Sequence, residues 1–152
     1  MERSAIDELL ERARADLDRV APDDLHTELA GGALVVDIRP FEQRARDGEL
    51  VGAMVIDRNV LEWRLTPSSS WCVDGVHPER RVILVCSQGF SSSLAAATLR
   101  RLGLRLATDL EGGFHALREL ERRGRRQGAG QSLTSIESGE VRETGRDRNG
   151  RR

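Results

Sequence analysis

Apolar residues change their spacing several times along the chain, and each change predicts an element. Ile6, Leu9, Leu10, Ala13, Leu17 and Val20 recur at helical intervals, and Ser4 with Asp7 three residues on has the form of a capping box. An amphipathic first helix over residues 1–19 is predicted, its stripe requiring a surface to cover. Pro22-Asp23-Asp24 then reads as a helix start, with Leu25, Leu29 and Ala30 on one side and Gly31-Gly32 as the stop. Ala33 to Asp37 is a continuous apolar run with β-branched residues, the pattern of a strand buried on both faces. A charged stretch from Arg39-Pro40 to Asp47 predicts a short helix, and Ala53 to Ile56 the next strand. Asn59 to Leu65 predicts a helical turn, which Pro67-Ser68-Ser69-Ser70 ends, and residues 66–80 form the longest internal irregular stretch. Val82 to Val85 is the most apolar strand. Ser92 to Leu102 follows as a helix stopped by Gly103, Arg105 to Leu110 as a weaker strand, and Phe114 to Arg123 as a final helix. Strands alternating with helices imply an α/β domain with a central, mainly parallel sheet.

From Gly124 to Arg152 the pattern fades. Only Leu133, Ile136 and Val141 stand out as large apolar residues among Arg, Gly, Ser, Gln and Glu, too few to offset the entropy of ordering the segment, so a disordered tail is expected. The domain proper is thus bounded at residues 20–123. Charge adds an exclusion: the 152 residues carry a formal net charge of -1 with both signs mixed, which offers no field for nucleic acid or an anionic membrane surface. All basic residues are arginine. No apolar run is long enough to span a bilayer and the N-terminus lacks a signal-like apolar stretch, so a cytoplasmic protein is expected, with Cys72 and Cys86 as free thiols.

Candidate chemistry centres on Cys86. It ends the most apolar strand and precedes a loop with one glycine, three serines and a helix start, the place where open α/β sheets carry their functional groups. Backbone N–H groups of Ser87 to Ser91 and the helix N-terminus offer partial positive charge to a sulfur anion. Such surroundings lower a thiol pKa from about 8.5 into a range of roughly 3.5 to 7.5. Gly89 lets the amides converge, and Ser91 to Ser93 can cap the helix or donate hydroxyls. Taken alone, the same window also fits a buried cysteine followed by a turn and a cap.

Cys86-Ser87-Gln88-Gly89-Phe90-Ser91-Ser92 resembles the C-x-x-G-x-S-S form of the active-site loop of the rhodanese family of sulfurtransferases. Asp37-Ile38-Arg39 resembles the family's D-x-R. Gly48-Glu49-Leu50-Val51-Gly52-Ala53 resembles its G-H-I-x-G-A, with Glu49 where histidine is usual, and Leu110-Glu111-Gly112-Gly113 resembles its L-x-G-G. The four stand in order between about Val20 and Glu119. The resemblance implies a rhodanese-like three-layer fold and sulfur transfer, in which Cys86 takes sulfane sulfur from a donor such as thiosulfate or a persulfide and passes it to a nucleophilic acceptor. On that reading Cys86 is catalytic and Ser87, Gln88, Gly89, Phe90, Ser91 and Ser92 bind the persulfide. Asp37 and Arg39 give structural support, and neither metal nor organic cofactor is needed. The expected partners are a small sulfur donor and a thiol, cyanide-like or protein acceptor. Many relatives carry a basic loop residue for an anionic donor. Positions 87, 88, 90 and 91 have none, and Arg58 and Arg64 are the candidates to supply that charge.

Two other readings compete. Rhodanese-like domains also serve as non-catalytic binding or regulatory modules, although these often lack the cysteine. Related cysteine phosphatases need an arginine six residues after the cysteine to hold phosphate, where this chain has Ser92, and often a histidine just before it, where it has Val85. Elsewhere, Cys72 with His77 is too little for a metal site. Cys72 reads as a spare loop thiol, Trp63 and Trp71 as packing residues, and His26 and His115 carry no motif.

Overall fold

The computed structural model describes residues 2–137, with side chains through residue 127. Its four strands are β1 (Leu34–Asp37), β2 (Met54–Val55), β3 (Val82–Val85) and β4 (Ala107–Asp109), paired in parallel in the order β2-β1-β3-β4. Leu34 sits opposite Val82 and Asp37 opposite Val85, so β1 and β3 run abreast for their full length at the centre of the sheet.

Two apolar clusters explain why β3 is apolar at every position. Side chains alternate across a strand. Val82, Leu84 and Cys86 point into one cluster with Val36, Leu61, Leu65, Ala95, Ala96 and Leu99, while Ile83 and Val85 join Val20, Leu25, Val35, Phe114 and Leu117 in the other. The first layer is built by α4 (Leu61–Leu65) and α5 (Ser91–Arg101), the second by α2 (Leu25–Ala30) and the start of α6 (Gly113–Glu137). This is the three-layer arrangement that the resemblance implied. The remaining helices are α1 (Ala5–Arg14), which packs on α5, and α3 (Phe41–Asp47).

The first helix is shorter than its apolar spacing suggested. Its capping box forms as expected, with the Asp7 N–H donating to Ser4 Oγ and the Ser4 N–H to Asp7 Oδ2, both at 3.3 Å. The helix nevertheless ends at Arg14, because the next residues are claimed by the sheet: the Val20 N–H donates to the Asp109 carbonyl at 2.9 Å and the Glu111 N–H to the Val20 carbonyl at 2.8 Å. Tertiary pairing overrides periodicity here. Ile6 and Leu9 are left half exposed, Leu17 packs against the α5-side cluster, and Val20 is buried in the opposite one.

By contact density the chain divides into Met1–Leu120 and Glu121–Arg152. In the second segment the final helix continues to Glu137 instead of stopping near Arg123. Arg, Gln and Ala after Gly124 have enough helical propensity to carry it past single glycines. The rest of the tail, residues 138–152, lies outside the described residues. Among those described, no helix is long and apolar enough to cross a membrane.

Candidate active site

Three strands deliver chemistry at their carboxyl ends: Asp37 closes β1, Cys86 follows β3 and Asp109 closes β4, all buried. Cys86 is 6% exposed and its sulfur is held by the loop behind it. The Gly89 N–H donates to Sγ at 3.1 Å, and Sγ lies 3.2 Å from Ser92 Oγ. Burial pushes the thiol pKa up, but hydrogen bonds from the Ser92 and Ser91 hydroxyls and from the Ser92 and Gly89 N–H groups outweigh it, so the net shift is downward. Of the predicted loop residues, Gly89 and Ser92 thus touch the sulfur directly, and the Ser91 hydroxyl adds to the downward shift. Phe90 is more than half exposed on the outside of the loop, and Ser87 and Gln88 form the turn between sulfur and glycine.

Two glycine motifs far apart in sequence prove to be one packing unit. A methyl group added at Gly113 would stand 2.4 Å from the Cys86 carbonyl oxygen, 2.7 Å from the Gly89 nitrogen and 2.8 Å from the Gln88 nitrogen. One added at Gly89 would meet the Gly112 nitrogen at 2.8 Å. The C-x-x-G loop is therefore seated on bare backbone from the L-x-G-G turn. The Phe114 and His115 N–H groups stitch the two together, donating to the Cys86 and Ser87 carbonyls at 2.9 and 3.0 Å.

Asp109, which carried no motif, is the hub beneath the loop. Its Oδ2 accepts from the Ser92 and Ser93 hydroxyls, each at 2.7 Å, and from Arg19 Nη2 at 3.2 Å, while Oδ1 accepts from Arg19 Nε at 2.9 Å. Ser92 therefore links sulfur to carboxylate. While Cys86 is a thiol it can donate to Ser92 Oγ. Once that proton leaves, the Ser92 hydroxyl is free to turn to the sulfur, since Ser93 and Arg19 still satisfy Asp109.

The D-x-R pair forms a buried brace. Arg39 donates to Asp37 Oδ2 from Nη2 at 2.8 Å and to Oδ1 from Nε at 3.1 Å, reaches the Gly48 carbonyl at 2.9 Å, and lies 3.7 Å above the Phe114 ring. It ties two of the four recognised motifs to each other and to Phe114, the residue that follows a third. Arg58 and Arg64 take other partners: Arg58 pairs with Glu62, and Arg64 Nη1 donates to the Trp71 carbonyl at 3.2 Å. Arg14 and Arg19 reach the loop, both bonded to the Gly89 carbonyl. At the rim, His115 Nε2 lies 3.3 Å from Ser87 Oγ and 3.4 Å from Asp47 Oδ2. Asp47 is held at a pKa of about 2, chiefly by its hydrogen bond from Arg46, with His115 a smaller cause. Cys72 is half-buried, its pKa raised mainly by burial.

The chain has relatives among known proteins. A family model described as the rhodanese-like domain matches residues 21–120. Thiosulfate sulfurtransferase GlpE of Stutzerimonas stutzeri is 33% identical over 103 residues, covering 68% of this chain and 86% of that protein. A Rhodopseudomonas palustris protein of unknown function, RPA3614, described as a possible tyrosine phosphatase, superposes with a TM-score of 0.70 at 28% identity, covering 80% of this chain and 96% of that one. The human single-domain sulfurtransferase TSTD1 superposes at 0.56 with 26% identity, covering 66% and 95%.

Proposed function

The chain belongs to the rhodanese-like domain family, and on that premise we propose that it is a sulfurtransferase that carries sulfane sulfur on Cys86. The observation that carries the reading is the sulfur's setting: a cysteine enclosed in the core, yet supplied with enough hydrogen-bond donors to shift it toward the anion. A structural cysteine needs no such donors, and burial alone would make it inert.

The chemistry follows from that anion. The Cys86 thiolate attacks the sulfane sulfur of the donor, a new S–S bond forms, and the donor's own S–S bond breaks with its electron pair leaving on sulfite when the donor is thiosulfate. The product is a Cys86 persulfide anion, one atom longer than the thiolate. The Gly89 and Ser92 N–H groups and the Ser91 and Ser92 hydroxyls are the donors that stabilise it. An acceptor, either a thiolate on a small molecule or protein or a cyanide-like anion, then attacks the outer sulfur and returns the Cys86 thiolate. Neither step calls for a cofactor. Asp37 and Arg39 act only as the brace. The reaction is assigned to the cytoplasm, where Cys72 and Cys86 stay reduced.

Phosphoryl transfer is disfavoured for this chain. The position for a phosphate-holding arginine is Ser92, whose fully buried hydroxyl offers no guanidinium fork. The choice between catalysis and a binding role rests on one measurement. Incubation of the intact protein with thiosulfate or a glutathione persulfide is expected to add one sulfur atom by mass, and cyanide or a thiol to remove it. Cys86→Ala should abolish the addition and Cys72→Ala should leave it. No uptake from any donor would leave the binding-module reading in possession, and sulfur mapped to Cys72 would overturn the mechanism.

A further inference from the structure

The loop that holds Cys86 contains no basic residue from position 87 to 93, yet two guanidinium groups meet at its centre. Arg14, the last residue of α1, donates from Nη2 to the Gly89 carbonyl at 2.7 Å and from Nε to Ser93 Oγ at 3.0 Å. Arg19 donates from Nη2 to the same carbonyl at 3.0 Å while its Nε pairs with buried Asp109. Resting on the sulfur-transfer reading above, we propose that Arg14 and Arg19 are positioning residues for that reaction, fixing the Gly89 peptides and supplying the cationic charge that an anionic sulfur on Cys86 requires.

Two part-buried guanidiniums face one buried carboxylate, Asp109, with the second nearby carboxylate, Glu111, exposed to solvent, so positive charge beside the sulfur favours a thiolate or persulfide anion on Cys86 over the neutral thiol. The surroundings of Arg14 agree: burial and neighbouring Arg19 weaken its hold on its proton, while Asp109, Cys86 and the exposed Glu111 strengthen it. Geometry gives the second role. Gly89 donates its N–H to Sγ on one side and accepts both arginines at its C=O on the other, so the guanidiniums grip the loop from behind and hold that donor on the sulfur. Both guanidiniums are bonded to the loop's own backbone and to Ser93 and Asp109, which places them to position the loop. Their loss should therefore slow neutral and anionic donors alike, which separates positioning from donor binding.

The test uses the full chain carrying Cys72→Ser, so that Cys86 is the only thiol, and follows thiolate ultraviolet absorbance against pH. With no tyrosine in the sequence, no phenolate overlaps the signal. Arg14→Gln is expected to raise the titration midpoint by roughly 0.5–1 pH unit and Arg14→Lys by less, since lysine keeps the charge without the fork. In kinetics, kcat/KM at pH 6 should fall about threefold to tenfold for thiosulfate and for a neutral sulfane donor equally. Arg14 leaves Asp109 its Arg19 partner, so this variant is expected to fold; thermal unfolding checks that. A folded Arg14→Gln protein with an unmoved midpoint and undiminished sulfur uptake overturns the inference and leaves the reaction standing. A loss confined to the anionic donor would also overturn it. A wild-type protein that takes up no sulfur overturns the reaction itself.

Discussion

Asp37→Ala is expected to cost about 3–5 kcal/mol of folding stability, because it strands a buried guanidinium rather than deleting an ion pair. Both partners have fully buried side chains, and Arg39 retains only the Gly48 carbonyl and the Phe114 ring once the carboxylate is gone. A domain of this size has about 5–15 kcal/mol in all, so the variant should unfold at a much lower urea concentration. Arg46→Ala is the matched control. Its pairing with Asp47 is solvent-exposed on the arginine side, and removing it should leave the urea midpoint nearly unchanged. Equal shifts in the urea midpoint for the two variants would show that the brace is not what holds the β1 end together.

Gly113→Ala is expected to damage stability and chemistry together. Its backbone has φ of 63°, where an alanine costs roughly 1–2 kcal/mol. Crowding adds roughly 1–3 kcal/mol, since all the atoms the methyl would meet are backbone of the Cys86 loop and cannot swing aside. Gly32→Ala separates the two contributions: Gly32 has φ of 96° and open space where the methyl would stand. Both variants should therefore lose stability, but only Gly113→Ala should slow sulfur uptake, by at least about tenfold as the loop is pushed off the sulfur. Unchanged uptake in a folded Gly113→Ala protein would mean that the loop has slack the packing does not suggest.

These substitutions also explain what could be read from sequence. Gly89, Gly113 and the Asp37-Ile38-Arg39 turn are visible because each is a constraint that a few adjacent residues must satisfy: a positive φ, a bare backbone surface, a carboxylate two residues from its guanidinium. The strands were visible for a related reason, since a run such as Val82 to Val85 has to be apolar on both faces. Arg14, Arg19 and Asp109 were not. Arg19 stands 90 positions from Asp109, and Arg14 stands 75 from Gly89. Among 24 basic residues, all of them arginine, nothing local marks these two as different. The end of α1 was hidden for the same reason, as Leu17 and Val20 keep helical spacing while serving opposite sides of the sheet.

The match to the family begins at residue 21, and both arginines lie before it. A fragment cut at that boundary would keep the whole sheet, the cysteine and every recognised motif, but would lose the two cations and leave the Asp109 carboxylate facing the sulfur without its counter-charge. On the proposed reading, the reactivity of Cys86 depends on residues outside the matched domain. Two relatives with the same loop sequence and different leader segments should differ in the acidity of their cysteine, and ranking them by the loop alone would put them in the wrong order.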